Sequence, residues 1–394
     1  MPAIEKIEQL AEEFKLIRQD FHRHPELGHQ ESQTAAKISQ FLRNWGYEVH
    51  TKIGGTGVVG ILKNGSSTKC LSIRADMDAL PIQELNRFAH ASENDGIMHA
   101  CGHDGHITMA LLAARYLAET RAFNGRVQFI FQPCEEQDGG ASDMIEDGLF
   151  ERFPTDFIIG CHNWPDLPAG LFGFSDQALM ASCNAFKIQV HGRGAHGAMP
   201  NNAIDPLFVA LQIANSLQGI ITRIKRPIDP AVLSICKLQA GQTYNVIADS
   251  ALLEGTVRTF SDEITDLIEK HLTQISENVA AAFGATVQVQ FIRQVPPVLN
   301  DKTCADRVKN AVTELFGAQS VLEQEPVMPS EDFGHYLKKV PGAFFFIGNG
   351  NGEHRPDGHG PGPCSLHNPS YDFNDAILPI GASVFAKVTE NYLQ

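Results

Sequence analysis

The sequence predicts an α/β protein in which helices flank a mostly parallel sheet and a smaller ferredoxin-like domain is inserted into the chain. Two observations support this fold class. In the first half, nearly continuous apolar strands alternate with segments of helical periodicity, which is typical of a parallel sheet covered on both faces. From residue 184 the order changes to β-α-β-β-α-β, which is the pattern of a split ferredoxin-like unit.

The elements of the first part follow in this order. An amphipathic helix opens the chain, and short strands separated by glycine turns follow over 47–65. The strand KCLSIRADMD (69–78) ends in two acids, a helix covers 106–120, and the apolar strands RVQFIFQP (126–133) and TDFIIG (155–160) come next. After the inserted part, helix and strand signals resume from Asp301, with a buried strand at GAFFFIGN (342–349) and a Gly/Pro-rich loop before the last helix.

The inserted part begins with a strand at 185–192 and a helix at 205–224. Strands at 231–241 and 250–260 follow, then a helix for which Ser261 is the predicted N-cap, and a closing strand at 285–294. The segment VPPVLND (295–301) marks its end. The predicted boundaries are therefore 184–294 for the inserted domain and 1–183 with 295–394 for the larger one.

Composition excludes several classes of partner. A net charge of −15 argues against nucleic acid and anionic membranes, which both bind basic surfaces. No run of 18 apolar residues appears, and the amphipathic N-terminus does not resemble a signal peptide, so we expect a cytoplasmic protein. Eight cysteines without a CxxC pair indicate reduced, mostly buried thiols.

Several predicted strands end in metal-ligand residues. Asp76 and Asp78 follow one strand, Glu135 and Glu136 another, and His162 a third. Because ligands bind beyond the carboxyl ends of parallel strands, these residues are expected to share one site. A single histidine after a strand more often has a structural role than a metal-binding one, so His162 by itself would not indicate a site.

The stretch HACGHDGH (99–106) adds a thiol and three imidazoles. In extended backbone, Cys101 and His103 would both face one centre, and their ligand types suit Zn²⁺ and, less decisively, Mn²⁺, Co²⁺ or Ni²⁺. The alternative is a buried thiol and a helix-start histidine. His99, Asp104 and His106 are expected to make supporting contacts.

Glu135 and Glu136 are adjacent, so extended backbone would point them to opposite sides. One could then bind a metal while the other takes a proton from water, which is the division of labour needed for metal-assisted hydrolysis. A solvated acidic turn is the alternative interpretation.

The inserted domain contributes three candidates. His196 lies among glycines and could be delivered by a lid as an oxyanion donor, or it could be a turn histidine without a role. Arg258 suits bidentate recognition of a substrate carboxylate, although an arginine on a sheet surface is commoner. Asn245 lies in the same domain.

Eight motifs occur along the chain in this order: RADMDALP (74–81), HACGHDGH (99–106), QPCEEQDGGA (132–141), GCHNWP (160–165), GRGAHGAMP (192–200), NVIADSALLEGTVR (245–258), SEDF (330–333) and LHNP (366–369). Together they strongly resemble the metallopeptidase family of aminoacylases and carboxypeptidase-G-like enzymes. Within this family they look most like the branch of amidohydrolases that includes hippurate hydrolases, N-acyl-amino-acid deacylases and plant auxin-conjugate hydrolases. The resemblance runs from about His22 to Asp375.

The resemblance implies two divalent metal ions, with Zn²⁺ as the first expectation, in the larger domain. The implied ligands are Cys101, His103, Glu136, His162 and His367. The resemblance also implies that Glu135 is the general base and that Asp78, with help from Asp76, orients a ligand.

For the inserted domain, the resemblance implies a lid and a dimerisation surface, so a homodimer or homotetramer is expected. His196 would polarise the scissile carbonyl from the partner subunit, while Asn245 and Arg258 would contact the carboxylate end of the substrate. Two positions depart from the branch: Cys134 replaces a usual alanine, and Asn201 a frequent histidine.

The function expected from these motifs is metal-dependent hydrolysis of the amide bond of N-acyl amino acids. Three alternatives are left open: a dipeptidase or carbamoylase of the same family, a non-catalytic metal- or peptide-binding homologue, and a redox protein that uses Cys101, Cys134 and Cys161. The missing CxxC makes the redox alternative the weakest.

Overall fold

The computed structural model describes residues 3–137, 139–176 and 178–394. They form two compact units, one from the described residues of Met1–Leu179, Leu299–Glu325 and Asp332–Gln394, the other from Met180–Val298 and Pro326–Glu331. The predicted inserted segment 184–294 falls within the second unit, which starts four residues earlier and includes a short piece of chain from beyond residue 300.

The α-helices are α1 Glu5–Glu8, α2 Ala11–Arg23, α3 Ser32–Asn44, α4 His103–Thr120, α5 Gly140–Glu146, α6 Leu149–Arg152, α7 Pro206–Gly219, α8 Asp262–Ala282, α9 Lys302–Phe316, α10 Phe333–Leu337 and α11 Leu378–Tyr392. The strands are β1 Glu48–Ile53, β2 Gly57–Asn64, β3 Cys70–Asp76, β4 Gly125–Gln132, β5 Phe157–Pro165, β6 Phe172–Phe174, β7 Ala178–Met180, β8 Cys183–His191, β9 Ala195–His196, β10 Ala231–Ala240, β11 Val246–Ile247, β12 Ser250–Thr259, β13 Thr286–Val295, β14 Val298–Leu299, β15 Val321–Glu323 and β16 Gly342–Gly350.

The first unit is built on an eight-stranded sheet of order β1-β2-β4-β3-β5-β16-β6-β15. The four central strands, β4, β3, β5 and β16, are parallel, whereas β1, β2 and β6 pair antiparallel with their inner neighbours. All seven residues of β3 are buried, as expected for a strand covered on both faces. The predicted α/β class with a mostly parallel sheet is confirmed.

Helix α4 lies at the centre of the first unit. It packs on β3 and against α2 and α11, and almost all of its side chains are buried. It begins at His103, three residues before the predicted start, because Gly102 adopts a left-handed conformation (φ 90°) that turns the chain into the helix. The candidate ligand His103 is therefore the first residue of the helix, and its side chain is buried.

The second unit has the predicted β-α-β-β-α-β order, formed by β8, α7, β10, β12, α8 and β13. Its antiparallel sheet has the order β10-β12-β8-β13, which is the ferredoxin-like arrangement. Ser261 caps α8 as predicted, with its hydroxyl accepting from the backbone N–H of Ile264 at 3.2 Å.

One described helical segment, Pro206–Ile224, is long and apolar enough to cross a membrane by length and composition. A single such helix is weak evidence, because helices that cover a core meet the same criterion. Here Val209, Ile213 and Leu217 are fully buried in the hydrophobic core of the second unit. On its outer side, Phe208 and Leu211 are exposed.

Candidate active site

All five predicted ligands converge at one end of the central strands of the first unit. The side chains of Cys101, His103 and His162 place their ligand atoms within 4.8 Å of one another, and Cys101, Glu136 and His367 do the same. The Cys101 Sγ lies 3.3 Å from His162 Nε2, and His367 Nε2 lies 3.2 Å from Glu136 Oε1. Cys101 thus belongs to both groups, which places it between two overlapping ligand sets.

The donor atoms of this site fit a bound cation. Among the described residues, no well-aligned hydrogen bond forms at either ring nitrogen of His103 or at Oε1 of Glu136, although these atoms are buried. They have only ion-pair contacts, such as His367 Nε2 with Glu136 Oε1 at 3.2 Å and Asp78 Oδ1 with His103 Nδ1 at 3.4 Å. An unsatisfied buried polar atom costs about 1–3 kcal/mol, so such atoms normally have a partner. Burial, followed by the charges of Glu136 and Glu135, raises the pKa of the Cys101 thiol, so its thiolate needs a compensating positive charge. Thiolate, imidazole and carboxylate together suit divalent transition metals.

Gly102 explains how Cys101 and His103 reach the same site. The extended backbone predicted at this position is wrong, since Gly102 is left-handed and His103 is already helical. A Cβ on Gly102 would lie 2.4 Å from Asn163 Nδ2 and 2.6 Å from Tyr371 Oη. Only glycine therefore allows this turn to pack so closely.

The segment after β4 is also a turn rather than extended chain, so the predicted divergence of the two glutamates is wrong. Carboxylate oxygens of Glu135 and Glu136 both lie within 4.8 Å of a ring nitrogen of His103. The carboxylate of Asp78 accepts hydrogen bonds from the backbone N–H groups of both glutamates, each at 3.0 Å. Asp78 Oδ1 also lies 3.4 Å from His103 Nδ1, so one carboxylate contacts both parts of the site.

Asp76 is the centre of a second buried network. Its Oδ1 lies 2.6 Å from His106 Nδ1, and its Oδ2 accepts from Arg74 at 2.7 Å and lies 3.8 Å from His103 Nε2. Burial alone would raise its pKa, but the interactions with His103, His106 and Arg74 hold the pKa of Asp76 well below its usual range. Asp76 therefore holds His106 by a hydrogen bond, and the ring of His106 stacks on that of His103.

A buried ionic cluster that sequence reasoning missed lies behind the start of α4. Arg18 contacts Asp104 at 3.3 Å, Asp372 at 3.1 Å and Asp375 at 2.6 Å, and His22 Nδ1 lies 2.8 Å from Asp104. Although burial opposes the charged form of His22, Asp104 and a further carboxylate raise its pKa to about 10. The cluster ties α2 to the residues that follow His103 and His367. Its only sequence signal is the run of polar residues within an otherwise amphipathic helix.

His99, in contrast, has no hydrogen-bond partner at either ring nitrogen among the described residues. Burial lowers its pKa to about 4, which keeps the ring neutral.

Two candidates of the second unit lie on strands, His196 on β9 and Arg258 on β12, and Asn245 lies in the turn directly before β11. His196 on β9 pairs with Val246 on β11, and the adjacent Asn245 accepts from the N–H of Gly197 at 2.8 Å through its carbonyl oxygen. The N–H of Ala198 donates to His196 Nδ1 at 3.0 Å, which leaves Nε2 to carry the proton. Arg258, on β12, is half-buried and donates to Ser330 at 3.4 Å.

Comparison with known proteins gives concordant matches. The model of peptidase family M20/M25/M40 matches residues 72–391. Hippurate hydrolase of Campylobacter jejuni is 40% identical, with 100% of both chains covered, and N-acetyl-L-cysteine deacetylase of Bacillus subtilis is 38% identical over 94% of this chain and 85% of its own. A solved structure from Bacillus subtilis, described as a dinuclear metal binding peptidase from the M20 family, has a TM-score of 0.85 at 34% identity and covers 98% of this chain and 99% of that one.

Thiol, imidazole and carboxylate groups cluster at one end of the parallel central strands. This site and these matches together define a metal-dependent hydrolase of amide bonds. The chain belongs to peptidase family M20/M25/M40. The family and the class of enzyme predicted from the sequence are confirmed. This family includes a solved member that is described as a dinuclear metal binding peptidase.

Proposed function

We propose that the protein hydrolyses the amide bond of N-acyl amino acids of the hippurate or N-acetyl type, releasing a carboxylic acid and a free amino acid. The observation that carries this proposal is the position of Glu135. Its carboxylate lies within 4.8 Å of ligand atoms of His103 and Glu136, beside two overlapping ligand groups. A purely metal-binding protein has no need of a further carboxylate there, which argues against the non-catalytic alternative.

The proposed site holds two divalent cations through Cys101, His103, Glu136, His162 and His367. We propose Zn²⁺, with Mn²⁺, Co²⁺ and Ni²⁺ as alternatives, because the donor set mixes thiolate, imidazole and carboxylate. When bound, such cations polarise a carbonyl and lower the pKa of water.

The chain's own residues then carry the proton and the charge. A carboxylate oxygen of Glu135 takes a proton from the attacking water and delivers it to the leaving nitrogen. The Nε2–H group of His196 donates a hydrogen bond to the oxygen of the scissile carbonyl, on which negative charge develops. Arg258 and Asn245 bind the substrate carboxylate, which a guanidinium recognises in bidentate geometry.

A substrate panel tests the proposed function. Purified, metal-loaded protein is expected to cleave N-benzoyl- and N-acetyl-amino acids with a higher kcat/KM than dipeptides or N-carbamoyl amino acids, measured by release of the free amino acid. N-benzoylglycinamide is the matched control, since it keeps the scissile bond and lacks the carboxylate. Faster cleavage of dipeptides or carbamoyl compounds would instead support the alternative activities of the same family.

Mixing two inactive variants tests the proposed dimer and the role of His196 together. His196→Ala is expected to lower kcat by about 10²–10³-fold, the usual cost of losing one oxyanion donor. His196→Ala and Glu135→Gln chains are then refolded together. If His196 acts on the partner's site, a mixed dimer regains up to half of the wild-type activity, because one of its two sites has both residues intact. Analytical ultracentrifugation measures the assembly, and no recovery in a mixture shown to contain mixed dimers would place His196 in its own subunit's site.

A further inference from the structure

Glu31 is a fully buried carboxylate that neither the predicted ligand set nor the proposed mechanism uses. It lies directly before α3 and precedes residues 72–391, which match the family model. One carboxylate oxygen accepts from the Thr56 hydroxyl at 2.6 Å, and the other accepts from the backbone N–H of Cys134 at 2.9 Å. A group from the N-terminal part of the chain thus binds the residue next to Glu135.

The turn that Glu31 contacts has an unfavourable backbone conformation. Cys134 has a φ of 53°, in the left-handed region that residues with a side chain rarely adopt. Such a conformation persists only where the surroundings hold it, and positions of this kind concentrate at active sites. The close packing of the Cys134 thiol supports this, since a Cβ on Gly28 would lie 2.8 Å from its Sγ.

Three consecutive backbone N–H groups of this turn donate to two buried carboxylates. Cys134 donates to Glu31, while Glu135 and Glu136 donate to the two oxygens of Asp78. The carbonyl oxygen of Cys134 also accepts from Gly140 at 3.1 Å. The turn is therefore held at every residue from 134 to 136, with Glu31 at its beginning.

We propose that Glu31 is a positioning residue that holds the turn at Cys134 and thereby orients the carboxylate of Glu135 toward the reacting water. The proposal rests on the proposed function for the role of Glu135. A carboxylate is suited to this task because it accepts from two donors at once and forms strong hydrogen bonds with backbone N–H groups. Its effect is on rate rather than on substrate binding, since orientation of the base matters in the transition state.

Three variants separate positioning from general stability. Glu31→Ala removes both acceptors, and Glu31→Gln keeps an acceptor for the N–H of Cys134. Glu26→Ala is the matched control, because Glu26 accepts from the N–H groups of Gln33 and Thr34 in the same segment and does not contact the turn.

The readouts are hydrogen–deuterium exchange of a peptide spanning 131–140, and kcat and KM with N-benzoylglycine at saturating metal. Glu31→Ala is expected to exchange faster in that peptide and to lose about 10- to 100-fold in kcat with KM little changed. Glu31→Gln is expected to restore most of both properties. Glu26→Ala is expected to resemble the wild type in both.

Two results would overturn the proposal: unchanged exchange of the 131–140 peptide in Glu31→Ala, or an equal fall in kcat in Glu26→Ala. If Glu31→Ala does not fold, Thr56→Val replaces it, since it removes only the hydroxyl that holds Glu31, and it must shift both readouts in the same direction. The hydrogen–deuterium exchange of the peptide is measured without substrate, so it does not depend on enzymatic activity. A wild type that cleaves no N-acyl amino acid would therefore refute the proposed function, while the exchange data would still decide whether Glu31 holds the turn.

Discussion

Replacing Glu135 by glutamine is expected to lower kcat by about 10²–10⁴-fold while the protein still binds its metal ions. Glutamine keeps the size of the side chain and its capacity to accept a hydrogen bond, but it cannot take a proton from water at neutral pH. Steady-state kinetics with N-benzoylglycine, combined with metal analysis by mass spectrometry, measure both properties on the same preparation.

Glu136→Gln is the matched control for this result, because it changes the neighbouring residue in the same way. Glu136 shares one ligand group with Cys101 and His367, and its Oε1 lies 3.9 Å from His103 Nε2. We expect this variant to bind metal weakly and to regain part of its activity when metal is added in excess. If Glu135→Gln regained activity with added metal and Glu136→Gln did not, the two glutamates would have the reverse roles.

Replacing Cys101 by alanine is expected to weaken the binding of both metal ions, by more than about 100-fold for the ion held most tightly. Loss of a residue that merely supports a ligand already costs 10- to 100-fold, and Cys101 belongs to both ligand groups. Activity is expected to fall with metal content. Isothermal titration with Zn²⁺ and Mn²⁺ measures the two affinities.

The control for this variant is Cys161→Ala, which removes another buried thiol in the same unit, directly before His162. Cys161 belongs to neither ligand group, so both affinities are expected to stay close to those of the wild type. Loss of only one metal ion in Cys101→Ala would show that Cys101 serves a single ion. Equal losses in both variants would show that packing of the unit, rather than ligation, accounts for the effect.

Local patterns were sufficient to predict the central sheet. Strands such as Cys70–Asp76 are continuous apolar runs, and their alternation with helices implies parallel pairing, which brings their carboxyl ends to one edge. The predicted convergence of Asp78, Glu136 and His162, which follow or end three of these strands, depends on that edge alone. His367, in contrast, lies in a loop with a φ of 61° and was implied only by the resemblance to a family.

Backbone geometry at two turns could not be predicted from local patterns. Extended chain is predicted at Gly102 and at Glu135, whereas the structure has a left-handed residue at Gly102 and at Cys134. Glycine permits this conformation without requiring it, and a cysteine gives no local signal for it. In both cases hydrogen bonds from distant residues hold the turn: Asn163 Nδ2 donates to the carbonyl oxygen of Cys101, directly before Gly102, and Glu31 accepts from the N–H of Cys134.

The fold class, the order of the inserted unit and the chemical nature of the metal-binding groups can be predicted from the amino-acid sequence, because they depend on periodicity and residue type along short stretches. The buried groups that support the site become apparent only in the folded protein. Arg18 reaches Asp372 across 354 residues, and Glu31 reaches Cys134 across 103. Such contacts arise when packing brings distant segments together, and no periodic pattern in either segment records its partner.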